Sequence, residues 1–152
     1  MASDKHSVMT FMKRAIQEAH NAFQADEVPV GAIVVRDGHV IACQFNQMHA
    51  SKNPLHHAEY LAIQEALNVT GENHLRDCIL YVTLEPCAMC AGAIALTGLK
   101  ALYYGAYDLK MGQVDNNGQV LKNEPCEVYG GISEKECAQL LKDFFKGKRA
   151  LH

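Results

Sequence analysis

The alternation of apolar and polar positions divides the chain into segments with different periods. Residues 9–24, "MTFMKRAIQEAHNAFQ", place Met9, Met12, Ala15, Ile16, Ala19 and Phe23 near helical spacing, which predicts an amphipathic helix. "PVGAIVVR" (29–36) and "HVIACQFN" (39–46) are β-rich runs on either side of Asp37-Gly38, the pattern of a hairpin. A polar loop follows over 47–55. "HAEYLAIQEALNV" (57–69) is rich in good helix formers, and Leu61, Ala62 and Ala66 can form its apolar stripe. "CILYVTL" (78–84) reads as a buried strand. "CAMCAGAIALTG" (87–98) reads as a helix of small apolar residues, with Gly98 as its stop. "KALYYGA" (100–106) predicts a further strand and "CEVYGGI" (126–132) a short one. Between them, residues 107–124 form a long polar connection of the kind that often carries function. The last segment, 133–149, predicts a helix opened by Ser133 and Glu136 as a capping box.

The order is α-β-β-α-β-α-β-β-α. A hairpin followed by strand–helix alternation predicts an α/β protein, a mixed sheet with helices on both faces. No Pro/Gly/Ser-rich linker or repeat interrupts it, so residues 1–152 are expected to form a single domain. In such sheets, sites gather at the carboxyl ends of strands. "TLEPCAMC" (83–90) lies at one of those ends.

Composition narrows the class. Hydrophobic residues make up 49% and charged residues 20%, ordinary for a soluble globular protein. No apolar run reaches the roughly 18 residues of a membrane span, and the N-terminus lacks the apolar core of a secretory signal. The expectation is a cytoplasmic protein with no membrane partner. A net charge of −3 argues against a strongly basic nucleic-acid binder, although it leaves room for a local basic patch. Of six cysteines, at 43, 78, 87, 90, 126 and 137, only Cys87 and Cys90 have metal-ligand spacing.

Residues three apart share a helix face, so both sulfurs can reach one ion. Pro86 is placed to open that helix, whose N-terminus favours thiolates. A catalytic zinc usually has three protein ligands and an open position. The missing ligand has to be another Cys, a His or a carboxylate, and "HHAEY" (56–60) is the best source. Residues two apart, such as His57 and Glu59, serve one pocket only if the pocket lies at a helix end. Two helices are thus expected to present their N-termini to one metal.

The combination "HAE"…"PCAMC" resembles the zinc-dependent nucleoside and nucleobase deaminases of the cytidine-deaminase superfamily. "EVPVGAIVV", "LYVTLEPCAMCAGAI", "YYGAYDLKMG" and "ISEKECAQLLKDFFKGKR" extend the resemblance, over nearly the whole chain, to the bacterial tRNA-specific adenosine deaminases. The resemblance implies a cytidine-deaminase-like three-layer α/β/α sandwich around a mixed five-stranded sheet. It implies one Zn²⁺ per chain on His57, Cys87 and Cys90, with water as the fourth ligand. Glu59 would shuttle protons as adenosine becomes inosine at the wobble position of a tRNA anticodon stem-loop. Asn46, Pro29, Val30, Ala58, Leu84 and Glu85 are expected around the base. Tyr107, Asp108, Lys110, Lys146, Lys148 and Arg149 are candidate RNA contacts, and a homodimer is implied. The chain departs from the family at "ALTGLK" (95–100), where members commonly carry a basic, polar segment, and at Tyr107, where they often have Arg. Two other readings stand beside this one: deamination of a free nucleobase such as guanine, and a non-catalytic zinc-binding interaction module. The latter would want a fourth protein ligand in place of an acid beside the metal.

Overall fold

A computed structural model describes the backbone of residues 5–150 and the side chains of residues 7–148. Its elements, in chain order, are α1 (Lys5–Gln24), β1 (Gly31–Arg36), β2 (His39–Phe45), α2 (Met48–Ser51), α3 (Ala58–Thr70), β3 (Cys78–Leu84), α4 (Ala88–Thr97), β4 (Ala101–Ala106), β5 (Glu127–Tyr129) and α5 (Glu134–Ala150). The sheet order is β2-β1-β3-β4-β5. β1 runs antiparallel to β2 and β3, while β3, β4 and β5 are parallel. The hairpin turn puts both Asp37 (φ 50) and Gly38 (φ 75) in the left-handed region, as a tight two-residue turn requires.

Helices cover both faces, which is why the central strands are apolar at consecutive positions. On one face, Ile33, Val35, Tyr81 and Tyr103 pack with Met12, Ile16 and Ala19 of α1 and with Cys137 and Leu140 of α5. On the other, Ala32, Val34, Leu80, Val82 and Leu102 pack with Ala62, Ile63 and Ala66 of α3 and Ile94 of α4. The strand alternation therefore feeds two cores, one per face. Gly31 lets α1 lie directly on β1. A Cβ there would stand 2.1 Å from the Ala15 carbonyl oxygen.

Several boundaries differ from the sequence expectation. α1 begins at Lys5 rather than near Met9, because Val8 continues the buried stripe. β1 begins at Gly31 rather than at Pro29. Pro29 has no N–H for a ladder, and the Val30 amide turns back to the Val28 carbonyl at 2.8 Å. The loop after the hairpin contains the short helix α2. Pro86 does not open α4; it precedes Cys87, which is the cap residue. Ser133 sits before α5 with φ 55, rather than in the extended backbone of a capping box.

Candidate active site

The strand directions bring distant segments to one end of the sheet. Because β1 is antiparallel to β3, the entry to β1 (Val28, Val30) lies beside the exits of β2 (Asn46), β3 (Leu84 to Cys87) and β4 (Tyr107). α3 and α4 start at this same end. Their N-cap residues are His57 (φ −72, ψ 150) and Cys87 (φ −75, ψ 178).

His57, Cys87 and Cys90 converge there, with one ligand atom from each all within 4.8 Å of one another. His57 Nδ1 lies 3.6 Å from Cys87 Sγ and 3.7 Å from Cys90 Sγ. An ion at tetrahedral angles, about 2.3 Å from sulfur and about 2.0 Å from nitrogen, would set its S and N ligands about 3.5 Å apart. The residues therefore fit a zinc ion. The electrostatics agree. Hydrogen bonds from the Cys90 thiol and from His57 outweigh burial and pull Cys87 down to about 3, so it is a thiolate. The Cys87 sulfur and burial push Cys90 up. The hydrogen bond to Cys87 also raises His57, against the opposing effect of burial. A zinc held by these three residues would displace their remaining protons.

Glu59 lies in the first turn of α3 and is 4% exposed. Burial pushes its carboxyl up from 4.5 to about 7, although the neighbouring His57 charge pulls the other way. With three protein ligands and an adjacent acid, the cluster has the composition of a catalytic site rather than a closed structural one.

The cluster forms the floor of a cleft of about 570 Å³. Val30, Asn46, Leu84, Glu85, Tyr107, Asp108 and Lys110 line it, as do His57, Glu59 and Cys87. Cys90 is fully buried beneath. Pro29 and Ala58 are buried but do not line the cleft, where Val28 takes the place expected of Pro29. The Ala58 amide instead donates to Asn46 Oδ1 at 2.7 Å. That bond leaves the NH₂ end of Asn46 as its donor for a ligand. Lys146 is exposed and outside the cleft lining. Lys148 pairs with Asp26 at 2.5 Å and lies over the Phe144 ring. The Arg149 side chain lies outside the described residues.

Sequence reasoning missed part of the wall. Met48, Leu109, Met111, Leu141 and Phe145 also line the cleft, and Leu109 is 79% exposed. The available signal was a pair of large apolar residues in the otherwise polar "DLKMG". The Phe-Phe pair divides its work: Phe144 packs edge-on to Phe23 of α1, while Phe145 faces the cleft. Glu27 was also missed. It is buried, and its carboxylate accepts the His49 and Ala50 amides at 3.0 and 2.7 Å. It thereby holds the turn that carries Met48.

Comparison with known proteins places this geometry. A family model for MafB19-like deaminases matches residues 6–149. A tRNA-specific adenosine deaminase from Rickettsia bellii (strain RML369-C) is 43% identical over 141 residues, covering 89% of this chain and 97% of the relative. A solved structure from a study of A-to-I editing by tRNA:A34 deaminases at the wobble position of transfer RNA superposes with a TM-score of 0.84 at 40% identity. It spans 87% of this chain and 99% of that one. A guanine deaminase from Bacillus subtilis superposes with a TM-score of 0.62 at 44% identity, over 64% of this chain and 63% of its own. With its His-Cys-Cys cluster, buried glutamate and five-stranded mixed sheet, the chain belongs to the deaminase family that includes the tRNA-specific adenosine deaminases.

Proposed function

We propose that this protein is a zinc-dependent hydrolytic deaminase, one domain over residues 1–152, that converts adenosine to inosine at the wobble position of a tRNA anticodon. The observation that carries the chemistry is the convergence of His57, Cys87 and Cys90 beside the buried carboxyl of Glu59. The three residues would hold one zinc per chain, which, when bound, supplies Lewis-acid activation of water. Glu59 moves the protons. Its carboxylate takes one from the attacking water and gives it to the purine ring, then carries the second, from the new C6 hydroxyl, to the departing amine. The C6–O bond forms, the C6–N bond breaks, and ammonia leaves. Burial suits Glu59 to this work, because an acid whose pKa lies near the operating pH can both accept and donate.

Asn46 offers its NH₂ to an acceptor on the base, while Val28, Val30 and Leu84 supply apolar contact. The substrate class follows from the rim. Tyr107, Leu109, Met111 and Phe145 are large, exposed and grouped around the mouth. A free base filling the floor would leave them in water, whereas unpaired bases of an RNA loop can stack there. An adenine in a loop is already partly unstacked, so little energy is needed to insert it.

A homodimer fits the exposed face of α4, where Leu96 is 88% exposed. A cytoplasmic location fits a tRNA substrate, and among the described residues no helix is long and apolar enough to cross a membrane. The test of function is kcat/KM for a synthetic anticodon stem-loop against free adenosine, adenine, guanine and cytidine at one salt concentration, with inosine detected by mass spectrometry. The hairpin should win by a wide margin. A win for guanine would make the protein a nucleobase deaminase.

A further inference from the structure

Glu85 stands two residues before the first cysteine ligand and is 2% exposed. Its carboxylate is occupied by one segment. Oε1 accepts the Asp108 amide at 3.1 Å and the Asn116 side-chain amide at 2.6 Å. Oε2 accepts the amides of Val114, Asp115 and Asn116 at 3.1, 2.9 and 3.0 Å. A carboxylate has about four lone-pair positions, so these donors leave no acceptor for a substrate. With both oxygens filled by N–H donors, Glu85 acts here only as an acceptor.

The segment around it is shaped to the carboxylate. A Cβ on Gly112 would lie 2.5 Å from the Glu85 carboxyl carbon. The Gln113 amide donates to the Pro86 carbonyl at 3.0 Å. Asp108 closes the next turn by accepting the Lys110 and Met111 amides at 3.2 and 3.0 Å. Residues Tyr107 to Met111 form one wall of the cleft. That wall has few apolar anchors of its own, since Tyr107, Leu109 and Met111 are all exposed.

We propose that Glu85 is a positioning residue: its carboxylate gathers residues 108–116 around one buried anion and so sets the Tyr107–Met111 wall before substrate arrives, controlling hairpin affinity without entering proton transfer. The effect on substrate rests on the functional reading above; the anchoring does not. A glutamine at this position keeps shape but fails chemically. Whichever way its amide is turned, an NH₂ meets amide donors that now point at an oxygen.

The test uses zinc-loaded full-length protein. In Glu85→Gln, zinc content should stay near one per chain. Hydrogen exchange in peptides covering 108–116 should accelerate by about tenfold or more, with β3 and β4 unchanged. The hairpin KM should rise about tenfold or more while the single-turnover rate at saturation stays within about threefold. Asn116→Ala removes one bond and should shift exchange and KM in the same direction by less. Asn116→Asp places a second carboxylate against Glu85 and should release the segment more strongly than Asn116→Ala does. If Glu85→Gln does not fold, the two Asn116 variants decide. Unchanged exchange over 108–116, or a collapsed saturated rate with unchanged KM, would overturn the proposal. If wild-type protein does not deaminate the hairpin, the functional reading fails, while exchange still reports the anchoring.

Discussion

Replacing Glu59 by glutamine keeps the shape of the side chain and removes its ability to carry a proton. Two consequences follow, and they oppose each other. A positioned acid–base group typically contributes about 10²–10⁴ in rate. Glu59 serves both the attack and the departure, so the loss should reach at least the upper end, about 5 kcal/mol in barrier. Stability should move the other way. Glu59 is 4% exposed, and in the metal-free protein burial raises its pKa from 4.5 to about 7. The folded state therefore holds this proton to higher pH than the unfolded chain does. Well below pH 4.5 both states are protonated and nothing is lost. As pH rises to 7 the unfolded chain ionises more easily, and folding loses about 3 kcal/mol. The glutamine variant has no such loss. With metal removed, it should unfold at higher denaturant than wild type at pH 8, by up to about 3 kcal/mol, and at nearly the same denaturant at pH 4.5. Single-turnover deamination of the hairpin, elemental analysis of zinc and denaturation at the two pH values measure all three quantities. Activity within a factor of a few of wild type would remove Glu59 from the mechanism. Equal stability at pH 8 would show that burial does not perturb this carboxyl as described.

Serine at Cys87 or at Cys90 should lower zinc content well below about one per chain; unchanged content in both variants would dismiss the site. Gly31→Ala should lower the melting temperature by about 6–12 °C, because the new methyl meets the Ala15 carbonyl, a backbone atom that cannot turn aside. Charge reversal at Lys146 and Lys148 should raise the hairpin KM and flatten its salt dependence. Lys148→Ala should cost less than about 1 kcal/mol in stability, since its pair with Asp26 is solvent-exposed.

The hydrophobic pattern and the ligand spacing determined much of this protein. Apolar β-rich runs and helical stripes located the five strands and the four long helices among the described residues, because burial is written into local order. Cys87 and Cys90 were legible as a pair because three residues of helix is a short, rigid distance. The short helix α2 was not, since its hold is the buried carboxylate of Glu27, more than twenty residues upstream. Tertiary structure alone decided which strands lie side by side. That order brings the entry of β1 and the exits of β2, β3 and β4 to one end, and so carries Val28, Asn46 and Tyr107 to the same cleft. It also decided the state of the acids. Glu59 and Glu85 are both buried glutamates near the ligands, yet one is raised by desolvation and the other, against desolvation, lowered by hydrogen bonds from Asn116, Asp108 and Asp115. Their local sequence does not show this difference in surroundings, because the donors around Glu85 come from residues 108–116, and only the folded chain brings those amides to its carboxylate.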